Sequence, residues 1–238
     1  MTEKSSFDAR LLCITENYKE ITENIASAAV RSGRDPSAVR FMAVTKTVEP
    51  VYINHALSLG IDLIGENKVQ ELLSKLEYLE KKDVEKHIIG HLQSNKVRKI
   101  IREVSMVQSL DSVSLAREIS RQAGLNGVNM DVLLEVNIGE EASKTGFLYE
   151  ETSSAAAEIA ELPGVTVRGL MAVPPLDAED EALRGYFRRM RTLFETLKSG
   201  NPAFDTLSLG MSGDYTTAIE EGATLVRIGS ALFGARRY

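Results

Sequence analysis

A single cysteine, Cys13, occurs in the 238 residues, so no disulfide closes within the chain and no cysteine pair exists for metal or redox work. A reducing, cytoplasmic compartment is the expectation. Basic residues are also in deficit: 28 Lys and Arg stand against 34 Asp and Glu, for a net charge of −6. That balance argues against a nucleic-acid sheath or a basic membrane-binding face. No apolar run approaches the roughly 18 residues of a spanning helix, and "MTEKSSFDAR" carries no long apolar segment. Histidine is scarce too, with three in the chain. Two of them fall in "HIIGH", which lacks the Glu of the zinc motif H-E-x-x-H and reads as a strand, so no metal site is expected and His91 reads as a rim residue. "GMSGD" places Asp214 where the hydrolase pattern G-x-S-x-G needs its second glycine. The dinucleotide fingerprint G-x-G-x-x-G is absent.

What is present has the balance of an ordinary globular domain, 43% hydrophobic and 26% charged. Phe7, Leu11, Ile14, Tyr18, Ile21, Ile25 and Ala28 recur at a 4-3-4-3 spacing, one face of a helix, and Ser32-Gly33 followed by Pro36 supplies the stop. After that, short apolar runs at 41–45, 62–65, 87–90, 106–109, 132–138, 166–173, 206–209 and 225–229 read as strands. Stretches of helical period separate them, such as Leu183, Phe187, Met190, Phe194 and Leu197. "DVLLEVNI" and "TLVRIG" are apolar on both faces, as strands of a parallel sheet are. Eight βα repeats in this length predict an α/β fold, a (β/α)8 TIM barrel, with residues 1–36 as an additional N-terminal helix packed on it. No linker or composition shift divides the chain, so 1–238 reads as one domain.

A barrel of this kind builds its site from the C-terminal ends of the strands. There the sequence presents Lys46, Glu66-Asn67, His91 with Gln93, Asn137, Met171, Ser212-Gly213 and the run from Arg227 to Ser230. The last two loops, "LGMSGDY" and "VRIGSALFG", combine Gly with Ser where barrels most often hold phosphate. Close backbone approach, N–H donors and a hydroxyl are all available, and the helix after Gly213 adds its positive end. Arg227 lies between the apolar Val226 and Ile228. A guanidinium there needs partners, either an inward carboxylate such as Glu135 or a ligand in the barrel mouth. Lys46 is either a solvated strand end or, beside a phosphate site, an amine that traps an aldehyde once burial frees it from its proton. A phosphorylated sugar, as in an aldolase, and pyridoxal 5'-phosphate both fit phosphate plus imine.

The segments "AVTKT", "IGENKVQE", "HIIGHLQSNK", "EVNIGEEASKTG", "RGLMAVPP" and "LSLGMSGDYTTAIEEGATLVRIGSALFGAR", in this order, resemble the YggS/PROSC-like pyridoxal phosphate homeostasis proteins. The resemblance implies a barrel similar to that of alanine racemase, with pyridoxal phosphate held as a lysine Schiff base. It implies Lys46 as the imine lysine and Asn67 near the ring oxygen. Ser212 with the Gly229 and Ser230 amides would hold the phosphate, Arg227 would face the pyridine nitrogen, and Met171 would line the ring. Val48 stands where a second lysine is frequent, which speaks against a lysine relay in that loop. Lys144 matches a family lysine after the fifth strand and reads either as solvated or as a secondary aldehyde acceptor.

An arginine at the pyridine nitrogen disfavours its protonation and leaves a weak electron sink, suited to storage or transfer. Racemisation also needs a second acid/base, and only "SALFGARRY" follows the last strand, so no second β domain is expected to bring one. These features together favour an intracellular vitamin B6 buffer or carrier without catalytic residues, delivering cofactor to apo-forms of other enzymes, as a monomer or weak homodimer. A weak amino-acid racemase of the same cofactor type is the alternative reading, and a phosphosugar aldolase a third.

Overall fold

The computed structural model describes residues 3–141, 143–175 and 178–235. Eight strands close into one barrel in chain order: β1 (Arg40–Val44), β2 (Leu63–Glu66), β3 (Glu85–Ile88), β4 (Met106–Leu110), β5 (Met130–Val136), β6 (Val165–Ala172), β7 (Thr206–Ser208) and β8 (Leu225–Ile228). Every ladder is parallel, and β8 returns to β1 with Phe41 opposite Val226 and Met42 opposite Arg227. Strands β2, β4 and β8 are buried throughout, and β5 is buried at all but Asp131 and Glu135. Helices follow on the outside: α1 (Glu3–Arg31) ahead of the barrel, then α2 (Pro50–Ser58), α3 (Val69–Lys75), α4 (Val97–Ile100), α5 (Val113–Asn126), α6 (Thr152–Ala160), α7 (Asp180–Lys198), α8 (Tyr215–Glu220) and α9 (Ser230–Phe233). The predicted (β/α)8 barrel with an extra leading helix is the observed architecture.

Strand positions agree within a few residues, and the differences share a cause. β3 and β5 begin two residues early, at Glu85 and Met130, because the polar ends of these strands still pair in the ladder, with Glu85 opposite Leu63 and Asp131 opposite Met106 and Thr166. Asn137, expected within the fifth strand, lies just past it. Its side chain clasps the next loop, donating to the Glu141 carbonyl at 2.9 Å and accepting from the Glu141 amide at 3.1 Å.

Helix α1 buries the face its spacing marked. Ile14, Ile21, Ile25 and Ala28 are enclosed against the main core, and each isoleucine contributes about 1.5–3 kcal/mol by leaving water. The helix lies across α2, α8 and α9, bridging the first and last turns of the barrel. Asn17 Nδ2 donates to the Leu232 carbonyl at 3.0 Å, Asn24 Nδ2 to the Tyr215 hydroxyl at 3.2 Å, and Arg31 pairs with Glu220 at 2.8 Å.

Side chains fill the barrel interior below its mouth in two apolar clusters. Met42, Leu63 and Leu225, with Ile89, form one inward cluster; Met106, Leu133 and Met171, with Val173, form another. One glycine sets the β6–β7 contact. At the irregularity that skips from Val132–Val167 to Leu133–Gly169, Gly169 adopts φ +153°, and a Cβ there would stand 1.7 Å from the Thr206 carbonyl oxygen. Gly169→Ala is therefore expected to force β6 from β7 and cost about 3 kcal/mol or more. Thermal unfolding should show it as a fall of about 2–4 °C per kcal/mol; a loss under about 1 kcal/mol would contradict this account.

Candidate functional site

The C-terminal mouth of the barrel opens into a cavity of about 820 Å³, within the range of small-molecule sites. Six of the seven site residues expected from sequence line it: Lys46, Asn67, Ser212, Arg227, Gly229 and Ser230. They come from the ends of β1, β2 and β8 and from the loop after β7, so barrel closure assembles them from positions up to 184 apart in sequence. Met171 does not reach the lining. It is 1% exposed, packed beneath Val173, and Val173 presents the apolar surface instead. The strand's period of two places both on the inward face, with Val173 one step nearer the mouth.

Lys46 is half-buried at the cavity wall, and the residues on either side of it are clamped. Thr45, fully buried, donates through Oγ1 to Glu66 Oε1 at 2.8 Å, while its carbonyl accepts from Lys75 Nζ at 2.8 Å. Thr47 holds φ +63°, a left-handed conformation costly for a β-branched residue, and its N–H donates to Glu71 Oε1. Lys75 Nζ joins the two carboxylates, 2.6 Å from Glu66 Oε1 and 2.7 Å from Glu71 Oε1. Burial pushes the Glu66 carboxyl above its usual range against the pull of Lys75 and Thr45. At Glu71 desolvation also works upward, but the bonds from Lys75 and Thr47 outweigh it and its carboxyl titrates low. Glu66 and Glu71 stand in the quoted "IGENKVQE", yet their meeting with Lys75 under Lys46 carried no signal in sequence.

Asn67 follows directly from β2, and its side-chain Oδ1 is buried with no hydrogen-bond partner among the described residues. Gly90 makes room for it, since a Cβ there would meet the Asn67 backbone at 2.6 Å. On the other side of the cavity, Ser212 Oγ accepts two backbone amides, from Gly229 at 3.2 Å and Ala231 at 3.1 Å. The loop after β8 thus already gathers an oxygen acceptor on its N–H groups.

Arg227 is 4% exposed and lines the cavity floor. No carboxylate lies within ion-pair distance among the described residues. Its Nη1 donates to the Ser208 carbonyl at 2.7 Å and to Ser208 Oγ at 2.6 Å, and its Nη2 to the Ala172 carbonyl at 2.9 Å. Of the two roles open to it, the Glu135 ion pair is not formed. Burial lowers its pKa to about 10, with Asp214 and Glu135 opposing, so it stays cationic at neutral pH.

The lining also includes Arg10 of α1 and Glu49 and Tyr52 at α2, which sequence reasoning missed. The Arg10 guanidinium stacks 3.8 Å from the Tyr52 ring centroid, a contact no local pattern announces. Lys144 is partly exposed but not unattached: it is paired with Glu141 and donates to the Pro174 carbonyl at 3.3 Å, tying the loops after β5 and β6 together. His91 lies exposed on the rim, its Nδ1 2.7 Å from Asp111 Oδ2, while His87 is buried inside the barrel. Among the described residues no group of three His, Cys, Asp or Glu side chains is placed to hold a metal, and no helix is long and apolar enough to cross a membrane.

Comparison with known proteins bears on this arrangement. The alanine racemase N-terminal domain family matches residues 17–237. The pyridoxal phosphate homeostasis protein of Aquifex aeolicus is 43% identical over 224 residues, 94% of this chain and 98% of its own length. That of Pseudomonas aeruginosa is 43% identical over 227 residues, 94% and 96% of the two chains. PipY of Synechococcus elongatus, solved with PLP bound, superposes with a TM-score of 0.78 at 34% identity, over 90% of this chain and 100% of its own. The resemblance drawn from the strand-end motifs is therefore borne out, and the chain belongs to the pyridoxal phosphate homeostasis protein family, on an alanine racemase N-terminal type of barrel.

Proposed function

We propose that this chain binds pyridoxal 5'-phosphate in the barrel-mouth cavity, covalently through Lys46, and acts as a cytoplasmic buffer and carrier of the cofactor. The observation that carries the reading is the convergence of an amine, an amide-bound hydroxyl loop and a buried cation on one cavity: Lys46, Ser212 with Gly229 and Ser230, and Arg227. The residues present suit the group. The amides after β8 already donate to one oxygen acceptor, Ser212 Oγ. The Asn67 oxygen, without a partner among the described residues, can take a hydroxyl from the ligand, and Val173 and Ile89 offer apolar surface to a ring. When bound, the cofactor supplies an aldehyde and an electron-withdrawing ring. The purified protein with added pyridoxal phosphate should show a band near ~420 nm that borohydride removes. Absence of both would overturn the proposal.

Ser212, Gly229 and Ser230 are proposed to hold the phosphate. Charge-assisted hydrogen bonds contribute roughly 1.5–3 kcal/mol each, so pyridoxal lacking the phosphate should bind at least about 10-fold more weakly. Titration of both vitamers by fluorescence checks this, and equal affinities would refute the assignment.

The carrier reading over an enzyme rests on Arg227. A cation that keeps its charge on the cavity floor disfavours a proton on the ring nitrogen, which weakens the ring as an electron sink. Exchange of an amino acid's Cα proton should then run well below about 1 per second, the low end of ordinary enzymes. Transfer to an apo-transaminase needs only imine exchange and should proceed. Incubation with L-amino acids in heavy water, and separately with the apo-enzyme, tests the two halves. Turnover at enzyme rates would favour the racemase alternative.

A further inference from the structure

Behind Arg227 on the cavity floor, the barrel interior holds three more polar side chains in a line, none of them part of the cavity lining. His87 of β3, Gln108 of β4, Ser208 of β7 and Arg227 of β8 are 2%, 0%, 0% and 4% exposed. They touch in sequence across the barrel: Arg227 Nη1 to Ser208 Oγ at 2.6 Å, Ser208 Oγ to Gln108 Oε1 at 2.8 Å, and Gln108 Nε2 to His87 Nδ1 at 2.8 Å. His87 Nε2 then faces Glu85 Oε2 at 3.6 Å, and Glu85 pairs with Arg40 at 3.0 Å.

The bonds run in one direction. A guanidinium only donates, so Ser208 Oγ accepts from Arg227. The Gln108 oxygen faces Ser208 and accepts its hydroxyl hydrogen, and the Gln108 NH2 faces His87. The amide NH2 only donates, so His87 Nδ1 is the bare acceptor and its proton sits on Nε2, toward Glu85. The resulting chain is neutral from Ser208 to His87 and lies behind a cation with no carboxylate at ion-pair distance among the described residues. The other charges acting on Arg227, Asp214 and Glu135, do so from further away. Desolvation holds His87 below its ordinary pKa against the pull of Glu85, consistent with the neutral tautomer.

We infer that Gln108, acting through Ser208 and backed by His87, is a positioning residue for Arg227: the one-way chain holds the guanidinium by neutral acceptors, so that its full charge faces the bound cofactor's ring nitrogen. This rests on the cofactor reading above. A carboxylate in the same place would neutralise Arg227, and an apolar residue would leave its Ser208 contact unregistered. Either change returns proton affinity to the ring nitrogen.

Two measurements test it, one without cofactor. In the ligand-free full-length protein, ¹⁵N NMR of His87 should show the Nε2–H tautomer, and Gln108→Glu should move the proton to Nδ1, where a carboxylate oxygen now accepts. An Nδ1–H tautomer in the parent protein means that the chain does not run as described and overturns the inference, whatever the cofactor result. In protein loaded with ring-¹⁵N pyridoxal phosphate, the ring nitrogen should stay unprotonated across about pH 5 to 9 in the parent. It should take up a proton at a pH higher by about one unit or more, a tenfold change, in Gln108→Glu and Gln108→Met. Ser208→Ala, which removes the same link by deleting one oxygen, carries the same expectation should Gln108→Met not fold. A merely structural role would lower the melting temperature and leave the ring-nitrogen titration in place, which would refute the proposal. A parent protein that takes up no pyridoxal phosphate overturns it together with the cofactor reading; a loaded protein with an unmoved titration overturns it alone.

Discussion

Lys46→Ala should abolish the imine band and all borohydride-stable labelling, leaving only loose, phosphate-driven retention of pyridoxal phosphate. The expectation follows from where the lysine stands. It leaves β1 at the wall of the one cavity that also holds Ser212, Gly229, Ser230 and Arg227, and its flanking residues are clamped by Glu66, Glu71 and Lys75. A captured aldehyde is favoured by effective concentration once the phosphate is docked. Without the amine, only the bonds to the phosphate remain, and release on dialysis should be rapid. The other lysine the family resemblance raised, Lys144, is tied to Glu141 and the Pro174 carbonyl. Peptide mapping of the reduced protein decides between them: a stable adduct on any lysine other than Lys46 would mean the assignment is wrong.

Lys75→Met should have the largest effect on stability, because it strips the cation from a buried carboxylate. Glu66 is fully enclosed, and its Oε2 has no hydrogen-bond partner among the described residues, so Lys75 is the charge that offsets its desolvation. Breaking a buried pair from one side costs about 3–5 kcal/mol, which for a chain of this size means a fall of about 2–4 °C in melting temperature per kcal/mol. The pH dependence carries the more discriminating sign. Glu66 already has a raised pKa through burial, and losing Lys75 raises it further. A carboxyl whose folded pKa exceeds its unfolded value binds more protons in the folded state, so its unfavourable contribution grows as pH rises above the unfolded pKa. Glu71 has a lowered pKa in the parent, which contributes stability present above the unfolded value and lost as pH falls through the folded one. The variant forfeits that contribution. Both effects make the deficit largest near neutral pH and smaller as pH falls through the carboxyl range. Chemical denaturation at several pH values checks this, and a deficit that grows on acidification would contradict the network as described. Imine formation should also slow in the variant, since Thr47 loses part of what holds its left-handed turn.

The amino-acid order by itself determined the features that repeat along the chain. Apolar residues on both faces of "DVLLEVNI" and "TLVRIG" require cover on both sides, and eight short apolar runs separated by helical stretches close a barrel. The 4-3-4-3 spacing from Phe7 to Ala28 determined which side of α1 is buried. The rule that barrel sites lie at strand C-termini then brought out Lys46, Asn67, Ser212, Arg227, Gly229 and Ser230 before their geometry was known. These signals are legible because each is set by a backbone period or by a residue's place at a strand end.

Only the tertiary structure decided what those residues touch. Arg227 was open to an ion pair with Glu135 or to a ligand; barrel closure holds it on Ser208 and the Ala172 carbonyl, 19 and 55 residues away, without the Glu135 pair. Met171 and Val173 share one face of β6 and its extension, and only the depth of the mouth decides that Val173 reaches the cavity. Arg10 reaches the lining because α1 lies across α2 and α9. Lys75, the last residue of α3, meets the Thr45 carbonyl 30 residues earlier. Burial and hydrogen-bond partners at such separations depend on how layers stack around a closed sheet, and no local period encodes that stacking.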